Sequence, residues 1–167
     1  RVFGTSRKPV EGSEGITMLI CDVTNEASVR ALIEEIMRQT GQIDLVVNNA
    51  GIGLLGGAEE SSIAQVQRLF DVNVFGVARV VNAVLPIMRK QKSGRIVNMS
   101  SILGLIPSPF NAFYASTKHA IEGYSESLDH DVRAFGIRVC LVEPGVTPTA
   151  FEENRTRADQ PLPLYAA

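Results

Sequence analysis

Two side chains suited to proton transfer lie four residues apart, the phenol of Tyr114 and the ammonium of Lys118. The surrounding segment is predicted to be helical to about Arg133, and this spacing places both groups on one helix face. A tyrosine with an ordinary pKa near ~10 is a poor acid or base at neutral pH, and a nearby positive charge lowers that pKa. The pair therefore predicts a proton-transfer site, although Tyr-x-x-x-Lys on an exposed helix is usually only a solvated surface.

A serine before the helix strengthens the proton-transfer interpretation. Ser101 precedes Tyr114 by thirteen residues, at the end of a predicted strand, and could hold the oxygen atom that Tyr114 protonates. Ser100 is the competing hydroxyl. Three groups suited to general acid–base catalysis are thus expected where a strand ends and the next helix begins.

The elements that position these groups alternate between apolar strands and amphipathic helices. Strands are predicted over residues 2–6, 16–21, 43–47, 95–99 and 137–142, and the third is so apolar that we expect it to be buried on both faces. Helices are predicted from an N-cap at Thr24 to Gly41, over 62–92 with a bend near Gly76 and Pro86, and over 112–133. This alternation predicts a single α/β domain, residues 1–167, with a parallel sheet and right-handed crossovers.

Polar and small residues follow the predicted strands. In parallel sheets ligands bind at the carboxyl ends of the strands. Small residues at the end of the third strand would let a ligand approach the backbone closely. The sequence therefore predicts a ligand site along one edge of the sheet, formed by residues that each follow a strand: Arg7, Asp22, Asn49, Ser101 and Gly145.

Composition excludes several other classes of protein. A net charge of -2 and a hydrophobic content of 45% are ordinary for a globular domain, without the basic excess of a nucleic-acid-binding protein. No uninterrupted apolar run approaches the ~18 residues of a membrane span, and no secretory leader is evident. Cys21 and Cys140 lie in apolar runs, which indicates reduced thiols and a cytoplasmic protein. His119 and His130 stand apart from other ligand-type residues, so no metal site is expected.

Several motifs, in this order and at these distances, resemble the short-chain dehydrogenase/reductase family. The resemblance covers essentially the whole chain and implies a Rossmann-type fold, a doubly wound parallel sheet between two layers of helices. It also implies a nicotinamide cofactor and reversible hydride transfer between that cofactor and a carbonyl or secondary alcohol. The motifs are Asn48-Asn49-Ala50-Gly51, Asn73, Ser101, Tyr114-x-x-x-Lys118 and Pro144-Gly145.

The resemblance implies a role for each catalytic residue. Tyr114 would be the general acid in carbonyl reduction and the base in alcohol oxidation. Lys118 would lower the pKa of Tyr114 and hydrogen-bond the nicotinamide ribose, and Ser101 would orient and polarise the substrate oxygen. Asn73 would hold a water that links Lys118 to solvent, unless it is only a residue at a helix bend.

The resemblance also implies a set of cofactor-binding residues. Asp22 would meet the adenine unless it is a strand-end cap, and Thr149, unless it is only a loop hydroxyl, would receive the carboxamide. Arg7, with no acid nearby, favours NADP over NAD, which remains possible; the alternative is a plain surface charge. The full set is Arg7, Asp22, Val23, Asn49, Ala50, Gly51, Tyr114, Lys118, Pro144, Gly145, Thr147 and Thr149.

Two parts of the family pattern are not found in the sequence. The first strand and the glycine-rich turn that receives the pyrophosphate should precede Arg1 by roughly thirty residues. The chain also stops at Ala167, inside the expected substrate lid. In the strand order 3-2-1-4-5-6 the first strand lies between the others, so we expect an incomplete sheet with a gap at its centre. We interpret the sequence as the recorded portion of a longer enzyme.

Apolar residues near Ser101 and Tyr114 favour a hydrophobic ketone or secondary alcohol as substrate. They are Leu103, Leu105, Ile106, Pro107, Pro109, Phe110, Phe113 and Phe151. With Ile121-Glu122-Gly123 and Pro148-Thr149-Ala150-Phe151 they resemble the hydroxysteroid dehydrogenase-like branch, although they could equally pack a loop or a subunit interface.

The family commonly pairs subunits through its two long helices, so a homodimer or homotetramer is expected, without a nucleic-acid or membrane partner. The alternative functions are a non-catalytic dinucleotide sensor on the same fold, and an epimerase or dehydratase.

Overall fold

The computed structural model describes residues 1–12, 14–147, 149, 151 and 154–165, in which strands and helices alternate. The strands are β1 (Val2–Ser6), β2 (Ile16–Ile20), β3 (Leu45–Asn48), β4 (Leu54–Leu55), β5 (Gly94–Met99), β6 (Ile137–Val142) and β7 (Thr156–Arg157). The α-helices are α1 (Glu26–Thr40), α2 (Ile63–Phe70), α3 (Gly76–Gln91) and α4 (Ala112–Val132). Short 3₁₀ turns cover Ala58–Glu60, Ile102–Gly104, Arg133–Phe135 and Pro163–Tyr165, and Asp71–Phe75 is a π-helical turn.

The strands pair in parallel, which confirms the predicted α/β class. β5 lies between β3 and β6, with Asn98 opposite both Asn48 and Leu141. β1 pairs with β2, so that Ser6 lies opposite Ile20, and β4 pairs with β7. The β1–β2 pair and the β3–β5–β6 group are separate hydrogen-bonded sheets. This separation agrees with the gap that the family strand order 3-2-1-4-5-6 predicts for a sheet without its first strand.

Two apolar clusters hold the layers together. In the larger one, Val81, Val84 and Met88 of α3 are fully buried against Ile96 of β5 and Ile137 of β6. Each such side chain contributes about 1.5–3 kcal/mol when it leaves water. The smaller cluster joins β2, α1 and α3 through Cys21, Val29, Leu32 and Val80. Through α1, the β1–β2 pair is thus packed onto the rest of the domain.

The start of α1 differs from the prediction by one residue. Asn25, not Thr24, is the N-cap, and its side chain accepts a hydrogen bond from the backbone N–H of Ser28 at 3.0 Å. The hydroxyl of Thr24 instead donates to Asp22. Both residue types cap helices well, so the local sequence does not choose between them. The helix ends at Gly41 as predicted, in the left-handed conformation.

The prediction that the third strand is buried on both faces was wrong. Leu45 and Val47 of β3 are 54% and 51% exposed, whereas Asn48 is buried. On the side away from β5, no strand among the described residues pairs with β3. The sequence of β3 is as apolar as that of a strand buried on both faces, but the face that carries Leu45 and Val47 is exposed here.

Where the sequence predicted a bend near Gly76, the long middle helix has a π-helical turn between α2 and α3. The helix is continuous over Ile63–Gln91, and Pro86 lies within it without ending it. By length and mean hydropathy (1.4 over 18 residues) this helix could cross a membrane. It also carries the fully buried core residues Val81, Val84 and Met88 of α3. The turn itself directs Asn73 inward, where it is 2% exposed.

Candidate active site

The first candidate residue, Ser101, lies where β5 ends. Two backbone hydrogen bonds flank it and extend the pairing of β5 with β6: Ser100 donates to Val142 at 2.8 Å, and Ile102 donates to Pro144 at 3.0 Å. The Ser101 hydroxyl oxygen accepts a hydrogen bond from the backbone N–H two residues later and so caps the 3₁₀ turn. Ser101 is therefore fixed at the carboxyl edge of the sheet, next to Pro144.

Tyr114 and Lys118 are buried one turn apart on α4. They are 8% and 7% exposed, so they are not the solvated surface pair that the spacing alone would allow. The ammonium nitrogen of Lys118 donates to the carbonyl of Met99 at 2.7 Å and lies 5.7 Å from the centre of the Tyr114 ring. Burial lowers the pKa of Lys118 to about 8, and the negative charge of Glu122 acts in the opposite direction.

Asn73 connects the loop after β3 to the catalytic helix. Its side chain exchanges two hydrogen bonds with the backbone of Ile52, both 2.9 Å long. It also donates to the hydroxyl of Thr117 at 3.2 Å, and Thr117 donates to the carbonyl of Tyr114 at 2.7 Å. Asn73 thus fixes the loop against α4, and its role toward a water stays a prediction.

Most of the predicted cofactor residues lie just after the carboxyl end of a strand. Hydrogen bonds from Thr24, above all from its hydroxyl, lower the pKa of Asp22, and the charge of Arg7 lowers it further. Arg7 and Asp22 lie just after the paired ends of β1 and β2, where the backbone of Cys21 donates a hydrogen bond to Ser6 at 2.9 Å. The others follow β2, β3 and β6: Val23, Gly51 and Pro144 are half-buried, whereas Asn49, Ala50, Gly145, Thr147 and Thr149 are exposed. Pro148 and Ala150 lie outside the described residues.

A segment near the end of the chain packs beside Tyr114, as the sequence predicted for Phe151, and it also forms a strand that was not predicted. β7 pairs with β4, with Thr156 opposite Leu54. The ring of Phe151 lies 5.9 Å from the ring of Tyr114, centre to centre. Arg155 donates to the side chain of Asn111, the residue before α4. This segment forms a wall on one side of the site.

The segment between the two candidate hydroxyls carries exposed apolar side chains. Leu105, Ile106 and Phe110, between Ser101 and Tyr114, are 58%, 50% and 47% exposed. They are therefore exposed rather than packed into the loop. Among the described residues, no cluster of three or more His, Cys, Asp or Glu side chains could hold a metal ion.

Sequence reasoning assigned no individual role to two sets of buried polar residues near the site. One set, Asn48, Asn98 and Ser125, forms a hydrogen-bonded chain across β3, β5 and α4. The other is Glu122, buried on the same face of α4 as Tyr114 and Lys118. The signal available for Glu122 was its spacing, since it follows Tyr114 by eight residues.

The order of these residues matches a known family. The family model for short chain dehydrogenases matches residues 6–160. The chain belongs to the short-chain dehydrogenase family. The 3-ketodihydrosphingosine reductase of Bacteroides thetaiotaomicron is 46% identical over 154 residues, and the match covers 92% of this chain and 57% of that protein. Retinol dehydrogenase 8 of Bos taurus is 44% identical over 137 residues, with 82% of this chain and 43% of that protein covered. The chain thus spans about half the length of these relatives.

Solved structures of short-chain dehydrogenases share the fold. One from Streptomyces avermitilis has a TM-score of 0.86 at 32% identity, covering 99% of this chain and 65% of that one. ElxO with NADP bound has a TM-score of 0.77 at 35% identity, covering 80% and 54%. A Burkholderia phymatum enzyme in complex with NAD has a TM-score of 0.80 at 36% identity, covering 83% and 50%. These similarities confirm the Rossmann-type fold.

Proposed function

We propose that this chain is the central part of an NADP-dependent oxidoreductase that interconverts a hydrophobic ketone and the corresponding secondary alcohol. The observation that carries the proposal is the buried pair of Tyr114 and Lys118, with Lys118 bonded to the carbonyl of Met99, two residues before Ser101. Burying an ammonium costs free energy, so such a pair is expected where its charge serves chemistry.

Ser101 and Tyr114 act on the substrate oxygen. In the reductive direction both hydroxyls donate hydrogen bonds to the carbonyl oxygen, which withdraws electrons from the carbonyl carbon. Tyr114 then gives its proton to that oxygen as negative charge develops on it. The phenolate left behind is stabilised by the ammonium of Lys118, whose nitrogen is held 5.7 Å from the ring centre. In alcohol oxidation the phenolate of Tyr114 accepts the proton from the substrate hydroxyl.

The residues at the carboxyl edge of the sheet fit a dinucleotide. A bound nicotinamide cofactor supplies or accepts the hydride. Arg7 offers an exposed guanidinium where β1 ends, a group suited to the 2′-phosphate of NADP. The small residues after β3 leave its backbone accessible, and the segment after Pro144 lies beside Ser101. Arg7 is thus the reason to prefer NADP, since the related structures include complexes with both cofactors.

The exposed apolar residues at the approach indicate a hydrophobic substrate. Leu105, Ile106 and Phe110 offer apolar surface between the two catalytic hydroxyls in sequence, and Phe151 packs against Tyr114. Water-exposed apolar surface of this kind is stabilised when an apolar ligand covers it. The relatives named for 3-ketodihydrosphingosine and retinol agree with a hydrophobic substrate.

The cysteines and the long helices support proposals for location and assembly. We place the enzyme in the cytoplasm because Cys21 and Cys140 are free thiols. We also propose a homodimer or homotetramer formed through the long helices, where Ile63 and Phe75 are 69% and 53% exposed.

The test is Tyr114→Phe in the full-length enzyme, assayed by NADPH oxidation with a series of hydrophobic ketones. Turnover should fall by a factor of about 10² or more, the usual contribution of a general acid, while NADPH binding measured by fluorescence persists. Tyr124→Phe, on the same helix outside the site, is the matched control and should keep its activity. Unchanged turnover in Tyr114→Phe would refute the mechanism.

The same assay separates the alternatives. Comparing NADPH with NADH in the unmodified enzyme tests the choice of cofactor. Cofactor binding without turnover of any ketone or alcohol would favour a sensor, and substrate conversion without net cofactor consumption would favour an epimerase or dehydratase.

A further inference from the structure

A buried carboxylate continues the catalytic face of α4. Tyr114, Lys118 and Glu122 follow one another at intervals of four residues, so they form one stripe on the helix. Glu122 is 8% exposed, as buried as the two residues before it. Its Oε1 atom has no hydrogen-bond partner among the described residues. A buried acidic oxygen without a partner is costly and calls for a functional explanation.

The surroundings of Glu122 place it against the segment that carries Ser101. A Cβ atom built on Gly104 would lie 2.8 Å from Oε1 of Glu122 and 2.6 Å from Oγ of Ser100. Both oxygen atoms therefore face the 3₁₀ turn that begins directly after Ser101. The hydroxyl of Ser100 is likewise buried without a partner among the described residues. Ser100 follows Met99, whose carbonyl receives the ammonium of Lys118.

We propose that Glu122 is a positioning residue of the active site, whose buried negative charge keeps Lys118 protonated and whose side chain supports the turn that presents Ser101. The proposal rests on the proposed function, because it assigns Glu122 to the same proton-transfer site. Glu122 acts through Lys118 and Ser101, and it touches neither the substrate nor the cofactor.

Protonation of Lys118 depends on a balance between two effects. Burial lowers its pKa to about 8, close enough to neutrality for a further decrease to remove much of its charge. Glu122 is the charged group that opposes this decrease. Removing its charge should therefore leave the ammonium partly deprotonated at neutral pH, and a neutral amine cannot stabilise the phenolate of Tyr114.

Other charged groups on the elements packed against α4 have partners elsewhere or are exposed. Besides Glu122, the titratable group that faces Lys118 is the phenol of Tyr114. From β5, Lys118 meets only the uncharged carbonyl of Met99 among the described residues. The 3₁₀ turn after Ser101 contains no titratable residue. In the π-helical turn, Asp71 pairs with Arg79. Arg133 and Arg138 both pair with Asp129 of α4, and Arg68 of α2 is exposed.

The experiment is Glu122→Gln in the full-length enzyme, with Glu126→Gln as the matched control. Glu126 lies one turn further along α4 and is exposed, so it offers the same change of charge outside the site. The pKa of Lys118 is measured by NMR in protein labelled with ¹³C at the lysine ε-carbon, with Lys118→Met identifying the resonance. The pH dependence of kcat/KM for ketone reduction is measured in parallel.

Glu122→Gln should lower the pKa of Lys118 by about half a unit or more, and the alkaline limb of kcat/KM should move to lower pH by the same amount. Glu122→Asp keeps the negative charge, so the Lys118 pKa and the alkaline limb of kcat/KM should stay close to those of the unmodified enzyme. Glu126→Gln should change neither quantity. An unchanged Lys118 titration in Glu122→Gln, or an equal shift in Glu126→Gln, overturns the proposal. If Glu122→Gln fails to fold, the proposal is overturned when Glu122→Asp folds with a shifted titration.

The NMR titration also separates this proposal from the proposed function. It requires no turnover, so a Lys118 pKa that depends on Glu122 stands even if no ketone is reduced. Conversely, ketone reduction that requires Tyr114 but not Glu122 refutes only the role of Glu122.

Discussion

Asn98 offers the most direct test of how the sheet supports the site. The residue is fully buried on β5, and its side-chain oxygen accepts a hydrogen bond from Asn48 of β3 at 2.8 Å. Its side-chain nitrogen donates to the hydroxyl of Ser125 on α4, also at 2.8 Å. One amide thus joins two strands and the catalytic helix, directly before the carbonyl of Met99 that holds Lys118. Replacing Asn98 should loosen these three elements together.

The magnitude of Asn98→Ala follows from the groups it leaves behind. The change removes two buried hydrogen bonds and leaves the amide of Asn48 and the hydroxyl of Ser125 without partners. Each unsatisfied buried group costs about 1–3 kcal/mol, so the free energy of unfolding should fall by about 2–6 kcal/mol. Urea unfolding followed by circular dichroism measures it. Asn82→Ala, at an exposed position of α3, is the control and should change stability by less than about 0.5 kcal/mol.

A double-mutant cycle with Ser125→Ala tests the reasoning itself. In the double variant no hydroxyl is left unpaired, so its destabilisation should be smaller than the sum of the two single effects by about 1 kcal/mol. Where the Asn98→Ala protein remains folded, its kcat should also fall, because Met99 and Ser101 lie at the end of the loosened strand. Additive effects, or a loss below about 1 kcal/mol in Asn98→Ala alone, would refute the argument.

Two further predictions concern stability. Gly136 has a φ of 76°, and a Cβ there would collide with the backbone carbonyl of Lys92. A left-handed conformation alone costs a residue with a side chain roughly 1–2 kcal/mol, so Gly136→Ala should lower the free energy of unfolding by more than that. Gly123→Ala, in open space on α4, should instead be neutral or stabilising by about 0.5–1 kcal/mol, and equal urea midpoints for the two variants would contradict this. Hydrogen bonds from Arg138, and then from the Val139 backbone, hold the pKa of Asp129 below its usual range. The ionised Asp129 therefore stabilises the folded protein above the unfolded pKa of about 3.9, and this stabilisation is lost as the pH falls below that value. Asp129→Asn should therefore be less stable at neutral pH and show a shallower loss of stability on acidification, and an unchanged acid unfolding curve would contradict this.

Local patterns predicted the elements and the catalytic spacing. Apolar runs located β1, β2, β5 and β6 to within a residue, and Gly41 ended α1, because both signals depend on a few neighbouring residues. The four-residue interval from Tyr114 to Lys118 fixed their common helix face for the same reason. Where two local signals compete, as Thr24 and Asn25 do for the N-cap, sequence alone does not decide.

Tertiary contacts determine the features that were not predicted. The pairing of β7 with β4 joins residues about a hundred positions apart, and no local pattern specifies it. The exposure of Leu45 and Val47 depends on what lies beside β3, not on their own sequence. The two hydrogen bonds between the side chain of Asn73 and the backbone of Ile52 likewise depend on how the π-helical turn meets the loop after β3.

The composition of the buried face of α4 explains why Glu122 matters. A core helix normally buries an apolar stripe, yet this one buries polar residues at nearly every turn. Burying polar groups costs free energy unless each finds a partner, and here most do. Thr117 bonds to Asn73, Lys118 to Met99, Ser125 to Asn98, and Asp129 to Val139. The Oε1 atom of Glu122 is the exception on this face among the described residues, and it lies one turn from the ammonium whose charge the proposed reaction requires.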